Sequence, residues 1–145
     1  MSENNTNKFD CLKLSNQLCF PLYAASRKIV ATYTPHLKPL NLTYTQYLVF
    51  LVLWETDDIT VSEICSKLHL DNGTVSPLIK KLESRGLLKR ERSSKDERVV
   101  TVKLTKEGKD LKKEAVKIPE KIGACVDLSP EEAGFLYSIL YKLID

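Results

Sequence analysis

Four cysteines are the side chains of this sequence that could carry redox chemistry: Cys11, Cys19, Cys65 and Cys125. A peroxide oxidises a thiolate to a sulfenic acid, which then condenses with a second thiol to form a disulfide. None of the four stands in a C-x-x-C pair, and the two histidines have no metal-ligand spacing with them. We therefore predict no metal site and no cofactor. Buried structural cysteines and a redox switch remain as the two interpretations.

A second group of side chains, the basic ones, could bind nucleic acid. Residues 80–98 contain eight lysines and arginines against four acidic residues. Such clusters attract phosphate backbones. The net charge of the whole chain is only +3, so the distribution of charge, and not its total, indicates a nucleic-acid partner. A solvated charged face is the alternative until the cluster is placed on its elements.

Two short helices are predicted at the start of the segment 59–105. Thr60 and Glu63 form a T-x-x-E capping box, and apolar residues follow at i, i+3, i+4 and i+7, which is typical of one buried helix face. A second helix is predicted to begin near Thr74. Pro77 then falls in its first turn, where the missing N–H is not needed.

After Gly86, a plausible helix cap, the spacing of the apolar residues changes from the helical period to that of strands. Residues 87–92 and 98–104 alternate as strands do, around a polar loop at residues 93–97. Two short helices followed by a basic hairpin form a winged helix-turn-helix. In this arrangement the second helix enters a major groove of DNA and the hairpin, or wing, flanks it.

A long first helix is predicted from about Asp10 to Tyr33, with a stripe of apolar residues at helical spacing. Pro21 lies inside this pattern, so it either kinks the helix or marks a late start. Pro35 and Pro39 are predicted to end the helix.

Three further helices are predicted. One begins near Thr43 and runs to about Glu55; it is apolar on nearly all sides and should therefore be central. A charged helix with a thin apolar seam is predicted over residues 106–118. A capping box at Ser129 and Glu132 opens the last helix.

These elements predict one domain spanning residues 1–145, mainly α with a small β-hairpin wing. Residues 43–105 form the winged helix, and residues 1–40 and 106–145 form dimerisation arms, whose apolar seams a monomer would struggle to cover. We predict a homodimer whose two-fold symmetry matches a pseudo-palindromic double-stranded DNA operator. The sequence has no apolar run of membrane length and a polar N-terminus, which predicts a cytoplasmic protein without a membrane partner.

Several of these segments carry a resemblance to the MarR family of transcriptional regulators. The chain resembles the family along nearly its whole length, and within the family it resembles the organic hydroperoxide resistance regulators. The D-x-R element at Asp96–Arg98 is common to the broader family, whereas the N-Q-L-C-F and T-Y-T-Q-Y segments are more specific to the hydroperoxide sensors. The resemblance rests on residues 13–27, 40–55 and 70–108 and on the region of Cys125.

The resemblance implies that Cys19 is the peroxide-reactive residue and that Tyr33 and Tyr44 hydrogen-bond its sulfur. Without it, Cys19 would be interpreted as a small buried hydrophobe, because no lysine or arginine adjoins it to stabilise a thiolate. Some members of the family use one cysteine and capture the sulfenic acid with a small thiol. Others have a second cysteine in the C-terminal region of the partner subunit, which closes an intersubunit disulfide. Cys125 lies in that region, so we favour the second mechanism while the first stays open.

We therefore predict a repressor and not an enzyme. The reduced dimer binds operator DNA, and oxidation of Cys19 by an organic hydroperoxide, followed by a disulfide with Cys125, releases the DNA. Asp96 is expected to orient an arginine and not to touch DNA. The residues predicted for the DNA site lie on the recognition helix and the wing: Thr74, Ser76, Lys80, Lys81, Arg90, Arg92, Asp96 and Arg98.

Three alternatives remain. The first is a MarR-type regulator that binds a phenolic or other aromatic ligand and needs no cysteine chemistry. The second is a thiol peroxidase, although the sequence shows no nucleophile constellation for turnover and the wing would be unexplained. The third is a winged helix used only for protein contacts.

Overall fold

The computed structural model describes residues 8–144, which form seven α-helices and a three-stranded antiparallel sheet. Residues 1–7 and 145, the ends of the two predicted arms, lie outside the described residues. Short 3₁₀ turns lie at Asp10–Leu12, Leu14–Asn16 and Lys38–Leu40. In chain order the elements are α1 (Cys19–Leu37), α2 (Tyr44–Glu55), β1 (Ile59–Thr60), α3 (Val61–Leu68), α4 (Asn72–Ser84), β2 (Leu88–Arg92), β3 (Val100–Leu104), α5 (Lys106–Ala115), α6 (Ile118–Gly123) and α7 (Pro130–Ile144).

Helix α2 is the centre of the fold, as predicted. Its first turn is held by a capping box in which the Gln46 N–H donates to the Thr43 hydroxyl and the Thr43 N–H donates to the Gln46 side chain. Helix α2 packs against α1, α3, α4 and α5. Tyr47, Val49 and Phe50 are among its buried residues, so apolar burial on several sides holds it in place.

The two helices of the helix-turn-helix are confirmed, but α4 begins earlier than predicted. Asp71 caps it by accepting the Thr74 N–H at 2.8 Å, and Asn72 is its first residue. Pro77 is therefore the sixth residue of α4, and its placement in the first turn is wrong. The cap comes from a side chain that lies before the apolar repeat, which is why the repeat alone could not locate the start.

The wing is confirmed and has one more strand than predicted. Strands β2 and β3 pair antiparallel, with Leu88 opposite Leu104. Strand β1 pairs with the other edge of β3, with Ile59 opposite Val102. Two residues are too few to show the alternation typical of a strand, so β1 had no sequence signal.

Helix α1 starts later and ends later than predicted. It begins at Cys19, not near Asp10, so Pro21 stands in its first turn, where a missing N–H costs nothing. Of the two interpretations of Pro21, the late start is confirmed. Pro35 does not end the helix, which continues to the buried Leu37. A proline removes only one helical hydrogen bond, and burial of Leu37 stabilises the following turn.

The C-terminal helices also differ from the prediction. Helix α5 ends at Ala115, and the additional short helix α6 follows, with Pro119 as its second residue. Pro119 thus stands in the first turn of a helix, where its missing N–H is not needed. The start of α7 at Pro130 is confirmed, with Ser129 and Glu132 exchanging capping hydrogen bonds.

Helix α5 is joined to the base of the wing through very close backbone packing at Gly108. A Cβ atom at this position would lie less than 3.0 Å from the Leu87 carbonyl oxygen. The Gly108 carbonyl accepts the Trp54 indole N–H at 3.0 Å, and the Thr105 hydroxyl donates to the Gly86 carbonyl at 2.7 Å. The C-terminal arm is therefore anchored to both α2 and the wing.

Large apolar side chains are exposed along both ends of the chain. On the N-terminal segment and on α7 the exposed apolar residues are Phe9, Leu12, Leu14, Leu18, Phe20, Leu22, Tyr23, Phe135, Leu136, Tyr137, Ile139, Tyr141, Leu143 and Ile144.

None of the helices within residues 8–144 has the length and apolar character needed to cross a membrane.

Candidate DNA-binding and thiol sites

The exposed face of α4 carries Lys80 and Lys81, both open to solvent. Thr74 and Ser76, which were predicted to contact DNA, already form side-chain hydrogen bonds at the start of α4. The Thr74 hydroxyl donates to the Asp71 carboxylate at 3.1 Å, and the Ser76 hydroxyl donates to the Asn72 side chain at 2.8 Å. The bonds from the backbone N–H and the hydroxyl of Thr74 hold the pKa of Asp71 below its ordinary value.

At the tip of the wing, Asp96 and Arg98 form a local ion pair. The Asp96 carboxylate accepts the Arg98 N–H at 3.0 Å, Nε at 3.1 Å and Nη2 at 3.3 Å. Hydrogen bonds from the Arg98 side chain lower the pKa of Asp96. The Arg98 side chain is nevertheless 90% exposed, so the carboxylate sets its direction while leaving it open to a partner.

The two other wing arginines differ in their contacts. Arg90 is tied to Glu83 of α4: its Nε donates to the carboxylate at 2.7 Å and its backbone N–H at 2.9 Å. The backbone N–H of Arg90 is the main cause of the lowered pKa of Glu83. Arg90 thus fastens the wing to the recognition helix, whereas Arg92 makes only a long bond of 3.5 Å to the Glu97 carbonyl and stays exposed.

A groove of about 440 Å³ separates the wing from α3 and α4, and it brings together residues of the predicted DNA site that lie on different elements. Ser76, Arg90 and Arg98 line it. Ser62 and Asn72 also line it and were not predicted. The available signal was the capping residue just before each of these helices, because a capped start places the next residues at an exposed N-terminus.

Replacing Arg98 with alanine is expected to weaken DNA binding, because its guanidinium is the most exposed cation of the wing whose direction is set by a carboxylate. If it contacts a phosphate, the slope of log affinity against log salt should become shallower by about 0.9. Fluorescence anisotropy across a salt series measures both effects. Asp96→Asn is the matched variant, and it should weaken binding only when Arg98 is present. Unchanged affinity and slope in Arg98→Ala would remove the wing tip from the interface.

The four cysteines are all free thiols in this structure. Cys19 is the first residue of α1 and is exposed, and Cys125 follows α6 and is exposed. Cys11 is also exposed, whereas Cys65 is partly buried against the core, where burial raises the pKa of its thiol. The expectation from residue type alone, that Cys19 is buried, is wrong. Three open thiols therefore stand near the ends of the chain, Cys11 and Cys19 in the N-terminal part and Cys125 in the C-terminal part.

Tyr33 and Tyr44 form a partly buried aromatic pair, with ring centroids 4.8 Å apart. Burial raises the pKa of both phenols, so they remain protonated donors at neutral pH. Tyr33 is 14 residues beyond Cys19 on the same helix, or about 21 Å along the helix axis. The structure thus brings the tyrosines to each other but not to Cys19 of their own protomer, and their predicted bond to its sulfur would need a second protomer.

Comparison with known proteins shows which family this chain is similar to. The family described as "Transcriptional regulator SarA/Rot" matches residues 31–115. The chain is 48% identical over 139 residues to the organic hydroperoxide resistance transcriptional regulator of Bacillus subtilis (strain 168), covering 96% of this chain and 95% of that protein. It is also similar to Bordetella bronchiseptica BpsR, in a structure that describes the mechanism for regulation of its DNA binding by 6-hydroxynicotinic acid (TM-score 0.82, 27% identity, covering 89% of this chain and 99% of BpsR).

AbfR, a protein of Staphylococcus epidermidis, is similar in three solved states. Reduced AbfR bound to DNA has a TM-score of 0.77 at 34% identity, covering 92% of each chain. Overoxidised AbfR bound to DNA has 0.75 at 37%, covering 92% of this chain and 93% of AbfR. Disulfide-formed AbfR has 0.65 at 39%, covering 92% and 94%. With its winged helix and these relatives, the chain belongs to the SarA/Rot-like, MarR-type family of DNA-binding transcriptional regulators and is of the organic hydroperoxide resistance type.

Proposed function

We propose that this DNA-binding regulator is a cytoplasmic, dimeric repressor that senses organic hydroperoxides through oxidation of Cys19. The observation that carries the proposal is the exposed Cys19 thiol at the first turn of α1, in a chain so similar to a hydroperoxide resistance regulator. A helix N-terminus favours negative charge, including that of a thiolate. The relatives reported above are named as regulators, which supports a regulatory and not an enzymatic role.

The exposed apolar residues at both ends of the chain support the homodimer. An apolar surface of this kind on a regulator is typical of a subunit interface. Residues 1–40 and 106–145 serve as the dimerisation arms, and residues 43–105 as the DNA-binding part. The two recognition helices of such a dimer meet successive major grooves of a pseudo-palindromic duplex.

Packing within the chain argues that Cys19 pairs with a thiol of the other subunit. Helix α6 packs against α1, and only the half of α1 from Ile29 onward carries partly or fully buried residues. We infer that Cys125, just after α6, lies near that half of its own α1. Ile29 is about 15 Å along the helix from Cys19, whereas a disulfide needs Cα atoms within about 7 Å. Cys125 of the partner subunit is therefore the better candidate.

The chemistry has two balanced steps. The Cys19 thiolate attacks the peroxide oxygen, the O–O bond breaks, and a sulfenic acid and an alkoxide form; the alkoxide takes up a proton and leaves as an alcohol. The thiol of Cys125 of the partner subunit then attacks the Cys19 sulfur, the S–S bond forms, and water leaves. Tyr33 and Tyr44, whose pKa values burial raises further above neutrality, supply hydrogen-bond donors for the anionic sulfur.

Disulfide formation is the step proposed to release DNA. AbfR has been captured on DNA when reduced and when overoxidised, and of these three states the disulfide-formed one has the lowest TM-score to this chain, 0.65. A switch from mostly bound to mostly free requires a difference of about 5.5 kcal/mol in DNA affinity between the two states. A disulfide between the two arms keeps the dimer in the state of low DNA affinity and so maintains this free-energy difference.

A ligand-controlled regulator is the second candidate, because the relative BpsR is described as regulated by 6-hydroxynicotinic acid. A pocket of about 490 Å³ between α1 and α2, lined in part by Val30, Leu37, Leu42 and Tyr44, offers an apolar site for an aromatic ligand. Blocking the thiols with iodoacetamide separates the two candidates. It abolishes the response to hydroperoxide but leaves a response to an aromatic acid intact.

Hydroperoxide-treated wild type is expected to run as a covalent dimer on a non-reducing gel. Cys125→Ser should abolish that dimer, because the sulfenic acid on Cys19 then has no resolving thiol. Mass spectrometry should instead find Cys19 over-oxidised or bound to a small thiol. Cys11→Ser is the matched control, an exposed thiol whose loss should leave the covalent dimer intact. A wild type that stays monomeric and gains the mass of one small thiol would show the one-cysteine mechanism.

A further inference from the structure

A basic pocket lies on the side of α4 that faces away from the wing. Its volume is about 250 Å³, and Lys38, Lys81 and Arg85 contribute the charge. No acidic residue is among the described residues that line it, and the ion pairs within residues 8–144 involve neither Lys38 nor Lys81. Three cations are thus gathered here without a counter-charge from the protein.

Arg85 holds this pocket together across a long stretch of chain. Its Nη1 donates to the Asn41 carbonyl at 2.7 Å and its Nη2 to the Leu40 carbonyl at 3.3 Å. These bonds join the end of α4 to the turn between α1 and α2, so that Lys38 and Lys81 line the same pocket. Arg85 directly follows α4 and stands one turn beyond Lys81, so both side chains reach the same pocket. The pocket therefore gathers like charges that a bound anion would neutralise.

The orientation of α4 indicates which anion this is. Lys81 and Glu83 are two positions apart, a rotation of about 200° around the helix axis, so they point to opposite sides. Glu83 is bonded to Arg90 on the wing side, and Lys81 lies on the pocket side. A helix about 10–12 Å wide fills a major groove about 12 Å wide, so a phosphate backbone runs along each side of it.

The geometry points to a phosphate clamp: Lys38, Lys81 and Arg85 bind a backbone phosphate of the DNA strand on the side of the major groove opposite the wing. The wing contacts one strand and this pocket contacts the other, which fixes how far α4 enters the groove. The inference rests on DNA binding through α4 and is independent of peroxide sensing. Phosphate contacts of this kind set position and affinity without reading sequence.

The test uses reduced Lys38→Gln, because Lys38 is exposed, stands outside α4 and has no ion pair within residues 8–144. Binding to a mixed-sequence duplex and to an operator selected from a random library is followed by anisotropy across a salt series. Both affinities should fall by the same factor, and the salt slope should become shallower by about 0.9. Lys117→Gln, an exposed lysine before α6, is the matched control and should behave as wild type.

Duplexes carrying one neutral methylphosphonate at successive positions then locate the contact. Wild type should lose affinity at one phosphate per half-site, and Lys38→Gln should show a smaller loss at the same phosphate, because only Lys81 and Arg85 remain to contact it. Unchanged affinity and slope in Lys38→Gln would overturn the clamp. A melting temperature that rises with inorganic phosphate in wild type but not in Lys38→Gln, with an unaltered DNA slope, would also overturn it, because the anion would then be a free one. Failure of wild type to bind any duplex would instead contradict the proposed function.

Discussion

Replacement of Cys19 with serine is expected to leave DNA binding intact and to abolish its response to organic hydroperoxide. Serine differs from cysteine by one atom, and the Cys19 side chain packs into no core within residues 8–144 of its own protomer, so the substitution should leave the fold intact. A serine hydroxyl is not oxidised by a peroxide, so neither the sulfenic acid nor the disulfide forms. Wild type treated with cumene hydroperoxide should lose affinity by up to about ten-thousand-fold, the full range of a two-state switch, whereas the variant should lose none.

Mobility shift of a selected operator, with and without hydroperoxide, measures this difference. A reductant should restore binding by wild type. Cys65→Ser is the matched control, because the Cys65 thiol is partly buried and its pKa is raised by burial, both of which disfavour a reactive thiolate. Release of DNA by oxidised Cys19→Ser would mean that another group senses the peroxide.

Replacement of Gly108 with alanine is expected to produce the largest loss of stability among the Gly→Ala substitutions of this chain. The new Cβ would overlap the Leu87 carbonyl oxygen, which is backbone and has no freedom to turn aside. Relieving such an overlap costs about 3 kcal/mol, against a gain of about 1 kcal/mol because alanine is the better helix former. The net loss of about 2 kcal/mol should lower the melting temperature by about 6 °C for a domain of this size.

Thermal melting at one fixed protomer concentration measures this effect, because the stability of a dimer depends on concentration. Gly123→Ala is the matched control: Gly123 also lies in a helix, and a Cβ there would meet nothing within 4 Å. It should be neutral or slightly stabilising. Equal melting temperatures for the two variants would show that α5 shifts freely against the wing, contrary to the joint described here.

Local features of this chain were predictable from the sequence. The capping boxes that open α2, α3 and α7 each join two residues three positions apart, so chain geometry alone brings their atoms together. The alternation of β2 and β3 and the apolar composition of α2 are likewise local patterns. They predicted the winged helix correctly, and the resemblance to a family added the roles of the cysteines.

Element boundaries near prolines were less predictable. Pro21 opens α1, Pro35 lies within it, Pro77 lies within α4, and Pro119 opens α6. The cost of a proline depends on whether packing of the neighbouring turns stabilises the helix around it. Packing of that kind involves residues far apart in the sequence.

The sequence by itself determined the winged-helix architecture, the basic character of its recognition helix and wing, and the presence of thiols at both ends of the chain. Only the tertiary structure decided that Cys19 is exposed, that Arg90 is bound to Glu83, and that Lys38 joins Lys81 and Arg85 in one pocket. The physical reason is sequence separation: helical and strand periods set which residues share a face within one element. Which faces meet is set by the burial of apolar surface among all the elements together.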